Sequence, residues 1–260
     1  MQICNLSSGS KGNCTFIRGG NTSVLVDDGL SLKELNNRAQ AFDIPLDKLS
    51  GIIVTHEHID HIKGVDVLAR KYNIPIFIHT ESLAATTEKA IPRAQVAEQN
   101  LDVDFCIGDL EVSSFRLPHD SAHNLGFQIS DGKSQMAIAT DTGWVSDFAL
   151  SKLINKKMVI IESNHDEEML RRGCYPFALK QRILGKNGHL SNDDCAKVLR
   201  QIVESGCETV MLAHLSQDNN TPELAFDCAK RALQSCDIVE GRDVEIDVAS
   251  QWRPSRKIEI

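Results

Sequence analysis

The sequence predicts a mixed α/β (α+β) fold, in two halves that two sheets packed face to face with helices outside would fit. Two observations carry that prediction. Short strand-like apolar runs alternate with segments of helical period along the chain, and the pattern repeats in two successive halves. Residues of metal-ligand type also recur just past the ends of those apolar runs. With 260 residues the chain holds one sizeable core, so 1–260 reads as a single domain.

In chain order, Gln2–Ser7, Cys14–Arg18 and Thr22–Asp27 read as strands. Ser31-Leu32-Lys33-Glu34 is a capping box opening a helix to about Phe42, with Leu32, Leu35 and Ala39 as its apolar stripe. Gly51–Thr55 reads as a strand, followed by a helix at about Ile62–Lys71, a strand at Pro75–Ile78 and a helix over Glu81–Ala90. The second half opens with strands at Leu110–Leu117, Gly126–Ser130 and Gln135–Ala139. A helix over Trp144–Leu153 and a strand over Met158–Glu162 follow. Ser191, with Asp193 and Asp194 in the first turn, starts a helix to about Glu204. Thr209–Ala213 is a strand. Thr221 and Pro222 cap and open a helix to about Gln234, and Val244–Val248 is the last strand.

Formal net charge is −8, which argues against a passive nucleic-acid coat that must neutralise many phosphates. The charge is uneven. Between Ser151 and Arg200 there are ten Lys/Arg against six Asp/Glu, including Lys156, Lys157, Arg171, Arg172, Lys180, Arg182 and Lys186. A phosphate-backbone groove has that composition, and so do ordinary solvated helix faces. The eight cysteines show no C-x-x-C spacing, with Cys228 and Cys236 placed on one apolar helix face. All eight read as reduced structural thiols of a cytoplasmic protein. No signal peptide and no membrane-spanning apolar run is visible.

The chemistry concentrates in Thr55-His56-Glu57-His58-Ile59-Asp60-His61, directly after Gly51-Ile52-Ile53-Val54. His56 and His58 share a side if the backbone is extended, and a turn aims Asp60 and His61 at a second point. Imidazole and carboxylate suit zinc and similar first-row ions. A solvated polar loop gives no reason for three imidazoles in six residues. His119, Asp141 and His214 each follow a strand-like run and can complete the site.

This constellation resembles the metallo-β-lactamase superfamily, over nearly the whole chain. The resemblance implies a four-layer αββα sandwich, two mixed sheets with helices outside. It puts His56, His58 and His119 on one metal, and Asp60, His61 and His214 on a second, with Asp141 bridging them. The segments Ser8–Cys14, Pro118–Phe127, Glu162–Asp166 and Gly188–Asn192 are similar to the WalJ/YycJ-like branch, regarded as DNA exonucleases. Glu162 with His189 is similar to a pair in tRNA 3′-processing ribonucleases, where Glu orients a proton-donating His. Only 22 residues separate His119 from Asp141 and 73 separate Asp141 from His214, which leaves no room for a tRNA-gripping arm or a β-CASP insertion.

The ligand set alone names no substrate, but the resemblance in those segments implies phosphodiester hydrolysis, as a 5′-to-3′ exonuclease acting on DNA rather than RNA. A water activated between two divalent ions attacks phosphorus, Asp60 takes its proton, and His189 held by Glu162 protonates the leaving oxygen. Zinc suits the ligands, and manganese serves nuclease relatives. Gly188 lends His189 backbone freedom. Ser10 and Asn13, with Lys11, form a candidate anion-binding turn. Asn164, His165 and His123 are candidate substrate contacts or supports for the ligands, and His79 is read as structural. Two other readings stand beside this one. One is lactone or thioester hydrolysis, as in lactonase- or glyoxalase II-like proteins. The other is a non-catalytic regulator, which a full ligand set disfavours. Oligomeric state is left open.

Overall fold

In the computed structural model, which describes residues 1–260, the strands form two seven-stranded sheets. The first sheet orders β1 (Gln2–Ser7), β2 (Cys14–Gly19), β3 (Thr22–Val26), β4 (Gly51–Ile53), β5 (Ile76–Phe77) and β6 (Val96–Glu98) side by side. The second orders β7 (Phe105–Ile107), β8 (Leu110–Arg116), β9 (Leu125–Ser130), β10 (Gln135–Ala139), β11 (Met158–Glu162), β12 (Thr209–Ala213) and β13 (Glu245–Val248). Finally β14 (Ile258–Glu259) returns to pair with β1 in the first sheet. Each sheet starts antiparallel and turns parallel, from β3 to β6 in one and from β10 to β13 in the other.

Side-chain alternation builds three apolar layers from these strands. Val24, Val26 and Ile53 face inward onto Phe127, Ile129, Ile138, Ile160 and Met211 of the second sheet. Their neighbours Leu25, Ile52 and Val54 face outward. There they meet α1 (Leu32–Gln40) and, beyond α2 (Ile59–Ile62), α3 (Val65–Tyr72) through Leu35 and Leu68. After α4 (Thr80–Ala84), the helices of the second half are α5 (Asp147–Leu153), α6 (Glu167–Arg172), α7 (Phe177–Ile183), α8 (Asn192–Glu204) and α9 (Pro222–Gln234). Val159, Ile161, Val210 and Leu212 pack outward against α5, α8 and α9. The result is the expected helix–sheet–sheet–helix sandwich. No helix is long and apolar enough to cross a membrane.

Several local expectations are corrected. The helix expected over Ile62–Lys71 is broken into α2 and α3, because the Gly64 N–H leaves the helical ladder and donates to the Asp28 carbonyl at 2.8 Å, where Gly64 passes too tightly against Leu30 and Asp28 to admit a Cβ. The helix expected to reach Ala90 stops at Ala84. Trp144 lies before α5, which Ser146 caps. The expected caps Ser31, Ser191 and Thr221 each accept the N–H three residues on. Short β6, β7 and β14, and helices α6 and α7, escaped notice because two- to seven-residue elements carry little periodic signal. All eight cysteines are free, but Cys106 and Cys174 are exposed. Cys228 and Cys236 are half-buried, and Cys236 lies beyond the end of α9, so the two are not core residues.

The close approach at Gly64 also isolates Asp28, whose side chain is buried with Oδ2 unpaired. Burial raises its pKa from 3.8 to about 7, the Leu30 N–H pulls the other way, and Asp27 adds to the rise. The folded pKa exceeds the unfolded one, so its contribution to stability is present below 3.8 and lost as pH rises through about 7. Asp28→Asn is therefore expected to flatten the fall in stability across that window. Urea midpoints of the two proteins at intervals of pH check this, and parallel curves would contradict it.

Candidate metal centre

The site lies where the carboxyl ends of the parallel strands meet, the usual ligand position in sheets of this kind. Asp27 follows β3, His56 lies beyond β4, Asp141 beyond β10, and His214 follows β12, while Glu162 closes β11. Asp27, Asp141 and His214 adopt left-handed φ values of 61°, 58° and 56°. That conformation is uncommon for residues other than glycine. It persists only when surrounding structure imposes it, and here it turns each side chain inward at a strand end.

Five ligand-atom groups form, each with its atoms within 4.8 Å of one another; three consist of expected ligands alone: His56, His58 and His119; Asp60, His61 and His214; and His56, His61 and Asp141. A fourth joins Asp141 and His214 to Glu162 and His189, and the fifth, His79, Asp102 and His123, lies apart from them. Asp141 reaches both sides, with Oδ2 3.3 Å from His61 Nε2 and Oδ1 4.0 Å from His119 Nε2. His56 and His58 precede α2, while Asp60 and His61 lie in it, so one short segment serves two points.

Two carboxylates behind the imidazoles fix their orientation. Asp27 Oδ2 accepts from His61 Nδ1 at 2.7 Å, and its Oδ1 accepts the Thr55 N–H at 2.8 Å. Fully buried Glu162 accepts from His214 Nδ1 at 2.9 Å and His189 Nδ1 at 2.8 Å. Its second oxygen accepts the N–H groups of Thr142 and Leu190. His119 Nδ1 donates to the Gly188 carbonyl at 3.2 Å. With each Nδ1 proton committed in this way, the Nε2 lone pairs of His61, His119 and His214 point to the centre.

Burial raises Glu162, but His189 and the bonds from both imidazoles outweigh it and bring the carboxylate to about 2. Burial lowers His189, and the Glu162 charge more than reverses this, so His189 is raised. Burial holds His56 and His119 below the ordinary value, in the neutral form that binds metals.

The donors fit a metal. Buried His56 Nε2, His214 Nε2 and Asp141 Oδ2 all lack a hydrogen-bond partner and sit together. Unpaired buried polar atoms are costly, and cations at the two points, one by His56 and one by His214 with Asp141 between, would satisfy all three. The nitrogen–oxygen set suits zinc and also admits manganese.

The remaining expected residues divide. Asn13 Nδ2 lies 3.0 Å from His61 Nε2 and donates to Asp60 Oδ2 at 3.3 Å, so it touches candidate ligands directly. The turn around it directs its N–H groups inward: Gly9 to Asn13 Oδ1, Lys11 to Gln251, Gly12 to Gly9 and Asn13 to Asp60. Those donors are not available to an anion. Ser10 and Asn164 line a cavity of about 180 Å³ beside His189, and Asn164 also donates to the His214 carbonyl. His165 is buried with neither ring nitrogen paired. His123 is not on that cavity, and its ring stacks on His79 with centroids 3.6 Å apart. His79 in turn caps α4.

The basic stretch does not form one groove. Lys156 and Lys157 precede β11 at the end away from the site, and Arg171 and Arg172 pair along α6 with Glu167 and Glu168. Arg182 does lie at the cavity, paired with Asp120. Gly188 is required for close packing against the Arg182 and Ile183 carbonyls rather than for freedom of φ. Sequence reasoning missed Asp27, the support behind His61, although it shows the same signal as the candidate ligands, a residue of ligand type at the end of an apolar run. Asp120, 3.3 Å from His119 Nε2, was missed too.

A family model described as "Beta-lactamase superfamily domain" matches residues 22–215. The exodeoxyribonuclease YycJ of Bacillus anthracis is 36% identical over 253 residues, covering 96% of each chain. The exodeoxyribonuclease WalJ of Streptococcus pneumoniae is 34% identical over 245 residues, covering 93% of this chain and 91% of its own. Among solved structures, the metallo-β-lactamase fold protein YhfI from Bacillus subtilis matches with a TM-score of 0.70 at 17% identity, over 98% of both chains. Zinc-bound PqqB from Methylobacterium extorquens matches at 0.69 with 14% identity, over 98% of this chain and 100% of its own. The chain belongs to the β-lactamase superfamily and is a hydrolase of the metallo-β-lactamase fold.

Asp27→Asn keeps shape and tolerance of the left-handed backbone but removes the charge behind His61. Metal affinity is expected to fall by about 10- to 100-fold, measured by competition with a chromogenic chelator. Unchanged affinity would show that Asp27 does not support a ligand. Stripping the wild-type protein with a chelator should lower its melting temperature, and restoring zinc or manganese should raise it again.

Proposed function

We propose that this superfamily member is a dinuclear metal-dependent phosphodiesterase that removes nucleotides from DNA ends, in the 5′-to-3′ direction. The observation that carries this reading is the Glu162–His189 pair beside the ligand groups. The relatives named exodeoxyribonucleases, similar over more than 90% of this chain, support DNA over RNA as the substrate. In this reading His56, His58 and His119 hold one ion, Asp60, His61 and His214 hold the other, and Asp141 serves both. Two such ions, when bound, neutralise phosphoryl oxygens and make water acidic near neutral pH.

The protein's own residues do the rest. Asp60, its side chain 18% exposed and hydrogen-bonded by Asn13, takes the proton of the attacking water. His189 has Nδ1–H committed to Glu162 and its side chain 20% exposed, so protonated Nε2 can donate to the leaving ribose oxygen. A bond forms from the water oxygen to phosphorus, the P–O3′ bond breaks, and O3′ receives the His189 proton. Lactone or thioester hydrolysis is the second reading, and it gives no reason for a dedicated donor. We take 1–260 as one domain without a β-CASP insertion, which leaves the cleft open to a strand end, and place the protein in the cytoplasm.

The test is degradation of end-labelled linear DNA and RNA with zinc or manganese, beside Asp60→Ala to expose contamination. Stepwise shortening from the 5′ end of DNA is expected, absent in that variant. His189→Ala should lose about 100- to 10,000-fold in rate with unchanged metal content. A metal-loaded wild type that cleaves no nucleic acid would sink this reading and favour the lactone or thioester one.

A further inference from the structure

The cavity of about 180 Å³ beside His189 has walls that catalysis of bond cleavage does not explain. Leu179 and Ile183, four residues apart on one face of α7, line it with Tyr175 and Leu215. No residue of α7 is fully buried, although the helix carries Phe177, Leu179 and Ile183, and Phe177 is 76% exposed. Apolar side chains left uncovered beside a catalytic cleft mark a binding surface. Arg182 stands on the same wall and is paired with Asp120, which lies 3.3 Å from His119 Nε2. This links the cavity to the candidate ligands on one side, while His189 and His214 border it directly.

We propose that this cavity holds the base of the unpaired terminal nucleotide that is being released, between Tyr175, Leu179, Ile183 and Leu215, with the 5′-phosphate outside it at Arg182. The inference rests on the nuclease reading and adds the occupant and its strandedness. His189 borders the cavity, and its proton goes to the O3′ of the departing nucleotide, so that nucleotide must sit on the cavity side. The volume is well below the roughly 300–1,000 Å³ of pockets for drug-sized ligands. It suits one flat ring system rather than a base pair, and it opens onto the cleft. A terminal base seated there is unpaired at the moment of cutting, and a site for one base accounts for release of one nucleotide at a time. Arg182 supplies the forked cation that suits a phosphate.

The experiment uses the full metal-loaded protein and titration calorimetry with thymidine 5′-monophosphate and with deoxyribose 5-phosphate. The nucleotide should bind about tenfold more tightly, the scale of one base stacked on protein side chains. Leu179→Trp, which fills the cavity, should erase the difference, and Arg182→Ala should weaken both ligands. A single strand ending in a 5′ abasic residue should also be cut about tenfold less efficiently by the wild type than one ending in a base. Equal affinity of the wild type for the two ligands overturns the cavity assignment, with no variant needed. Equal cutting of the two ends overturns it while leaving the nuclease reading standing. Preference for the nucleotide without any DNA cleavage supports the cavity and defeats the nuclease reading.

Discussion

The packing of one sheet on the other sets the distances between the two halves of the site. The segment from His56 to His61 hangs from the first sheet, whereas His119, Asp141 and His214 hang from the second. No element supplies both halves. Their spacing is fixed by Val24, Val26 and Ile53 pressed on Phe127, Ile138 and Ile160, all nearly or fully buried. Protein interiors are dense enough that such a layer transmits displacement rather than absorbing it. A loosened layer would separate the ligand groups even with each ligand intact.

Each sheet also carries its own buried carboxylate behind the ligands. Asp27 serves the first through Thr55 and His61, and Glu162 serves the second through His189 and His214. Four donors converge on Glu162, so a charge that would be prohibitive alone is accommodated in the interior. Sharing one carboxylate oxygen ties the candidate proton donor to a candidate metal ligand. The donor is thereby held in register with the ions it would serve.

Much of this was legible in the sequence, for reasons that differ by residue. The ligands were readable because each is a distinctive type at the end of an apolar run, and runs of period two or 3.6 report their own class. Asp27 carried the same signal but was absorbed into the strand before it. The break between α2 and α3 was hidden because it depends on how Gly64 meets Leu30 and Asp28, a contact across the chain. The division of the basic stretch was hidden likewise, since charge along a sequence does not say which end of a strand it occupies. His123 lies only four residues from His119, yet the turn between them sends its ring to His79. The role of Arg182 emerged only with α7, whose seven residues give no clear period.

The left-handed backbone at Asp27, Asp141 and His214 restricts the chemistry of the site before coordination is considered. Asp, Asn and His tolerate that conformation better than other side chains, while β-branched and bulky residues meet a steric penalty of about 1–2 kcal/mol. A glutamate or a thiolate at position 141 could offer a metal an acceptable donor and still be disfavoured by the chain that must present it. The backbone thus acts as a filter on drift at positions 141 and 214, where it favours imidazole and short carboxylates as donors. At those two positions the bias against a soft thiolate donor is in that sense inherited from handedness.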